Sequence, residues 1–134
     1  LSDKYEALHS ALELRFKDGR AINNHLESLF IKLQRTLEYV VDNPKNPFEV
    51  SVNKLQGEYK VSLFGKETAS ITFNVYKDRG RMVVEINNKI SEESDIFFED
   101  GKFLLSEKDK DSDLIDFDDD AFEEKLNTTF VTRF

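Results

Sequence analysis

The sequence predicts an α+β domain of two layers: N-terminal helices packed on an antiparallel meander sheet of four to six strands, with a C-terminal helix. Three observations predict it. Apolar residues recur at helical spacing through the first 40 positions, and they alternate with period two from residue 48 onward. The 134 residues are the length of one ordinary domain. A chain of that size hides roughly two-thirds of the surface it exposes when unfolded, enough for a core without staples. We therefore expect one domain over 1–134: helical over 3–42, sheet over 48–106, and an acidic loop with a C-terminal helix over 107–134.

The helical stripe is Tyr5, Leu8, Leu12 and Phe16, continued by Ile22, Leu26, Leu29, Phe30, Leu33, Leu37 and Val40. It stays in phase across Asp18–Gly19. An unbroken helix of about 40 residues would be roughly 60 Å long, much longer than a domain of this size is wide. Two helices with a turn at Lys17–Asp18–Gly19 are therefore expected. A single overhanging helix would instead need a partner to cover it, and a homodimer through the N-terminal helices is one such arrangement.

Asp42-Asn-Pro-Lys-Asn-Pro47 ends the helical region, because each Pro disfavours helix in the residue before it. Four alternating runs follow: Phe48–Val52, Tyr59–Leu63, Ala69–Val75 and Met82–Ile86, separated by turns at 55–57, 64–67 and 77–80. One face is apolar and wants the helices as cover. The other carries Ser, Thr, Asn, Lys60 and Arg81, with Phe64, Tyr76 and Val83 as potential docking anchors. Ser91-Glu-Glu-Ser94 reads as a polar break. Beyond it Ile96–Phe98 and Phe103–Leu105 flank Glu99-Asp-Gly-Lys102, where Asp-Gly is a favoured hairpin turn. A last helix around 119–131 carries the stripe Phe122, Leu126 and Phe130.

Composition excludes several functions. With no Cys there is no disulfide framework, thiolate metal site or cysteine nucleophile. No apolar run approaches a membrane span and no signal peptide opens the chain, so a cytoplasmic protein is expected. Residues 91–134 hold 15 Asp and Glu against 5 Lys and Arg, a balance of −10, while residues 1–90 carry +2. Nucleic-acid binding normally needs a basic patch, so direct binding to DNA or RNA is not expected. A basic protein surface is the electrostatically easier companion.

The run DKDSDLIDFDDDAFEE, residues 109–124, admits three readings. As a calcium loop it places Asp109, Asp111 and Asp113 at positions 1, 3 and 5. Positions 6 and 12 are then Leu114 and Asp120 rather than the required Gly and Glu. As a nucleic-acid mimic it supplies charge, with Phe97, Phe98, Phe103 and Phe117 as apolar anchors. As a helix doorway, Asp118, Asp119 and Asp120 cap and charge the start of the last helix. The third accounts for most of the run.

No catalytic motif is present. Glu6-x-x-His9 lacks the second such pair that a carboxylate-bridged metal site needs, since Ile22 stands three residues before His25. No cofactor or metal is implied. The expected function is non-catalytic binding of a basic protein by the acidic C-terminal third, in the manner of an immunity protein, inhibitor or chaperone. Phe97, Phe98, Asp109, Asp111, Asp113, Asp116 and Phe117 are the expected contact residues. The alternatives are a small-molecule or divalent-cation-binding domain with its pocket between helices and sheet, or a nucleic-acid-mimicking inhibitor.

Overall fold

The computed structural model describes residues 3–37, 49–55, 57–65, 67–107 and 114–132. One helix, α1 (Asp3–Thr36), precedes the sheet and runs without a break through Lys17–Asp18–Gly19, where a turn was expected. Gly19 serves packing rather than helix termination. Its amide donates to the Lys77 carbonyl at 3.0 Å, and a Cβ at this position would lie 2.0 Å from the Tyr76 carbonyl oxygen. Gly is thus the residue that lets a hairpin backbone rest directly on the helix. The objection from length is met in another way: only the part of α1 after Gly19 is covered. Ile22, Leu26, Leu29, Phe30 and Leu33 are buried, whereas Tyr5, Leu8, Leu12 and Phe16 are exposed.

Seven strands follow among the described residues: β1 (Glu49–Leu55), β2 (Glu58–Phe64), β3 (Thr68–Val75), β4 (Gly80–Ile86), β5 (Lys89–Glu99), β6 (Lys102–Glu107) and β7 (Leu114–Asp116). They pair in sequence order as one antiparallel meander. Period-two alternation puts Val61, Ile71 and Val84 in register on one face, with Tyr59, Phe73 and Met82 beside them. The turn between β4 and β5 is Asn87–Asn88, with φ of 52° and 67°; that between β5 and β6 is Asp100–Gly101, with 51° and 76°. Both are left-handed two-residue turns, whose twist suits a hairpin and which Asn, Asp and Gly tolerate best.

The Ser91–Ser94 segment is not a break but the middle of β5. Glu85 pairs with Ile90 while Val84 pairs with Glu92, so Ser91 is an extra residue in the ladder. That bulge reverses the parity of everything after it. Ser94, Ile96 and Phe98 face the helix, and Glu93, Asp95 and Phe97 face away. Without it two carboxylates would point into the core. The inward Glu92 carboxylate receives the Lys125 ammonium, and both side chains are largely covered.

The C-terminal helix α2 (Asp119–Leu126) continues as a π-helical segment, Asn127–Thr132. Its Phe122 is buried, and Leu126 and Phe130 pack partly against the same core. The core is therefore a sandwich of α1 and α2 on the inner sheet face. Phe30 is its hub, with Tyr59, Phe73 and Phe122 ring centroids 5.4, 5.7 and 5.5 Å away. Each fully buried aliphatic or Phe side chain stabilises the fold by about 1.5–3 kcal/mol relative to exposure. Tyr59 keeps its polar end satisfied at the margin: its hydroxyl donates to Asn23 Oδ1 at 2.9 Å, which also accepts from the Gly57 amide at 3.0 Å.

Candidate functional site

The two helices do not close over the whole inner face. Between the last turns of α1, strands β1–β2 and α2 lies a cleft of about 1360 Å³. Leu29 and Leu33 of α1, Val61 and Leu63 of β2, and Phe122 and Leu126 of α2 contribute to its apolar wall. Val50, Leu37, Phe130 and Val131 extend that surface. The periodicities of the three elements converge there, so the cleft is a gap in the core layer and not a surface dimple.

The charged side chains among its described lining residues are Lys32, Glu67, Asp119 and Glu123. Lys32 and Asp119 pair at 2.8 Å, each about 62% exposed, so the pair is worth little in stability, roughly 0–1 kcal/mol. Its effect is to neutralise one cation and one anion, leaving Glu67 and Glu123 as net negative charge among the described lining residues. Asp116, Asp118, Asp120 and Glu124 are exposed at and beyond the start of α2. Asp118 is the N-cap, accepting from the Ala121 amide at 2.9 Å, and Asp119 and Asp120 occupy the first turn. The doorway reading of this part of the acidic run describes its structural role.

Of the expected contact residues, the four that are described do not share one face. Asp109, Asp111 and Asp113 lie outside the described residues. Phe97 and Asp116 share the outer sheet face, each opposite Leu104 or in its register row, two strands apart. Phe98 faces inward, partly buried and 4.8 Å from the Phe103 ring. Phe117 is 1% exposed, packed on Phe73 and Phe122, so its ring cannot serve a partner as a surface anchor. The outer-face aromatics are also dispersed. Phe64 pairs with Thr68 at one end of β3 while Tyr76 lies just past the other, about 27 Å away at 3.4 Å per residue. Arg81 is engaged by Glu93 at 2.9 Å.

Of the histidines, His9 is exposed beside Glu13 on the projecting half of α1, and His25 is half-buried. The His25 ring stacks on Phe103 with centroids 3.9 Å apart and planes within 2°. Its Nε2–H donates to the Phe117 carbonyl at 2.8 Å. Burial pushes this imidazole below its ordinary range, against the opposing pull of that carbonyl and of Asp119 and Asp118. It does not line the cleft. Among the described residues, no group of three or more His, Asp or Glu side chains is arranged to hold a metal ion. No helix among them is long and apolar enough to cross a membrane.

A pocket between helices and sheet was expected only under the alternative function, with no residue assigned to it; what the sequence did not show is the place of this cleft. Its one local signal is the pair of apolar stripes, Leu29–Leu33 and Phe122–Leu126–Phe130, each wider than a single contact requires. Comparison with protein-family models, with curated proteins and with solved structures gives no match.

Proposed function

We propose that the protein is a non-catalytic interaction domain that takes a basic, amphipathic segment of another protein into the cleft between α1, β1–β2 and α2. The observation that carries this reading is the combination of an apolar wall with a mouth that is net acidic among the described residues. An amphipathic helix seats its apolar face in such a groove, and Lys or Arg on its flanks meets Glu67, Glu123 and the carboxylates around Asp119. A cleft of about 1360 Å³ is also roomier than the roughly 300–1,000 Å³ typical of small-molecule sites. Binding of this kind suits an inhibitor, an immunity protein or a chaperone.

The test is a fluorescence-anisotropy titration with a labelled amphipathic helical peptide of Leu and Lys. Binding is expected at about 50 mM salt and should weaken at least tenfold by about 500 mM, where exposed charges are screened. The double variant Glu67→Lys, Glu123→Lys should weaken it similarly while leaving the fold intact, since both side chains are exposed. Absence of binding, or binding indifferent to salt and to both substitutions, overturns the proposal. A second reading, an elongated apolar small molecule, is favoured by the apolar lining. Salt-independent uptake of the neutral dye Nile red without peptide binding would select it.

A further inference from the structure

We infer that two copies of this chain pair antiparallel through the projecting half of α1, a surface separate from the cleft. Positions 5, 8, 12, 15, 19, 22, 26, 29 and 33 step by three and four along one seam of the helix, the spacing of a coiled-coil contact line. From Ile22 onward this seam is buried against the molecule's own sheet. Before Gly19 the same seam is open: Tyr5 is 66% exposed, Leu8 55%, Leu12 45%, with Phe16 alongside at 43%. The open stretch, residues 3–18, is about 24 Å long at 1.5 Å per residue.

The sheet dictates the direction of pairing. At Gly19 the Tyr76 and Lys77 carbonyls already lie against the helix. A parallel partner helix on the open seam would run onward into the β3–β4 hairpin. An antiparallel partner reaches the hairpin with its own first turns, and its body lies beyond the other end. The charge distribution agrees, because residues 91–134 carry a balance of −10 and antiparallel pairing keeps the two acidic portions apart.

The seam is also complementary to itself. Overlap of the two open stretches sets Leu8 opposite Leu12 of the second copy and Tyr5 opposite Arg15. The one cation on the open seam thereby meets its one aromatic ring, where a guanidinium over the π face is favourable. A strip about 24 Å by 10 Å on each copy buries at most roughly 1,000 Å² in total, so the dimer is a weak one with a dissociation constant in the micromolar range.

Sedimentation equilibrium of the 134-residue chain, from about 10 to 500 µM, should show reversible monomer–dimer exchange in that range. Leu12→Glu should shift dissociation at least tenfold without moving the urea midpoint of the monomer, because Leu12 is exposed there. The chain has no Cys, so single introduced thiols report the direction. An equimolar mixture of Leu8→Cys and Leu12→Cys chains should form a mixed disulfide-linked dimer on mild oxidation, whereas Leu12→Cys alone should cross-link much less, its two copies standing four residues out of step in this register. A monomer throughout the concentration range, a dimer indifferent to Leu12→Glu, or cross-linking of Leu12→Cys alone in preference to the Leu8→Cys and Leu12→Cys mixture overturns the inference. None of these outcomes bears on peptide uptake by the cleft.

Discussion

The His25 imidazole donates to the Phe117 carbonyl at 2.8 Å, tying the middle of α1 to a residue 92 positions later in the chain. Phe117 stands between β7 and α2, and its amide donates to the Phe103 carbonyl at 2.7 Å. His25 also stacks on the Phe103 ring. One side chain thus joins the helix layer to the last hairpin and to the start of α2.

That junction gives the fold a pH dependence of known sign. Burial lowers the imidazole's proton affinity in the folded state, so below about pH 6.5 the unfolded chain binds more protons than the native one. The contribution is complete above the unfolded value and is lost as pH falls through the lower, folded one. The urea midpoint should therefore drop more in the wild type than in His25→Gln between about pH 7.5 and about pH 5, since Gln keeps an N–H donor but does not titrate. His25→Ala leaves the Phe117 carbonyl unpaired and should cost about 1–3 kcal/mol at neutral pH. Equal pH slopes in wild type and His25→Gln would remove His25 as the source.

Gly19 makes a prediction opposite to helix propensity. In an exposed helix interior Gly→Ala gains about 1 kcal/mol. Here the added Cβ would lie 2.0 and 2.8 Å from the Tyr76 and Lys77 carbonyl oxygens, which are backbone atoms and cannot swing aside. Gly19→Ala should destabilise by about 2–3 kcal/mol in urea denaturation, by separating the β3–β4 hairpin from α1. Ala11→Gly, on the exposed part of the same helix, should cost only the propensity term of about 1 kcal/mol. If Gly19→Ala stabilises, the hairpin does not rest on the helix as described.

These residues also mark what could be read from the sequence and what could not. Alternation from Tyr59 to Ile86 located β2, β3 and β4 because each has one buried face, and Asp100–Gly101 announced its turn through backbone preference. The helical seam was legible as a pattern but not as a length. Gly19 reads locally as a breaker, and only the hairpin 57 positions away explains it as a contact. Ser91–Ser94 reads as polar because its partners are remote: Lys125 for Glu92, and a bulge that chooses between the Phe97 and Phe98 parities. Phe117 looked like a surface anchor because acids surround it in sequence, whereas in space it adjoins Phe73 and Phe122. A pocket between helices and sheet could be offered as an alternative but its residues could not be named, because the cleft forms between three elements, none of which carries its signature alone.

Ser94 offers a substitution that should strengthen the fold. Its side chain is 1% exposed on the inner face of β5, and its Oγ has no hydrogen-bond partner among the described residues. A buried hydroxyl without a partner costs about 1–3 kcal/mol on scales from protein mutants. Ser94→Ala removes that cost and opens almost no cavity, so the urea midpoint should rise, by the equivalent of about 1 kcal/mol. A fall of similar size would mean that the hydroxyl is hydrogen-bonded in solution.

The acidic run separates into residues that hold the fold and residues that only charge it. Asp118 accepts from the Ala121 amide and satisfies one of the free N–H groups at the start of α2. Asp118→Ala should cost about 1 kcal/mol, while Asp118→Asn, which keeps the accepting oxygen, should cost much less. Asp116 has no such duty: its side chain is exposed on the outer face of β7. Asp116→Asn should leave the denaturation midpoint within about 0.5 kcal/mol of wild type, as exposed substitutions usually do. Loss of stability on Asp116→Asn comparable to that of Asp118→Ala would show that the run stabilises the fold through its total charge rather than through the cap. Since like charges so close together repel, the expected difference between the two substitutions follows from geometry: only one of these carboxylates meets an amide that would otherwise go without a partner.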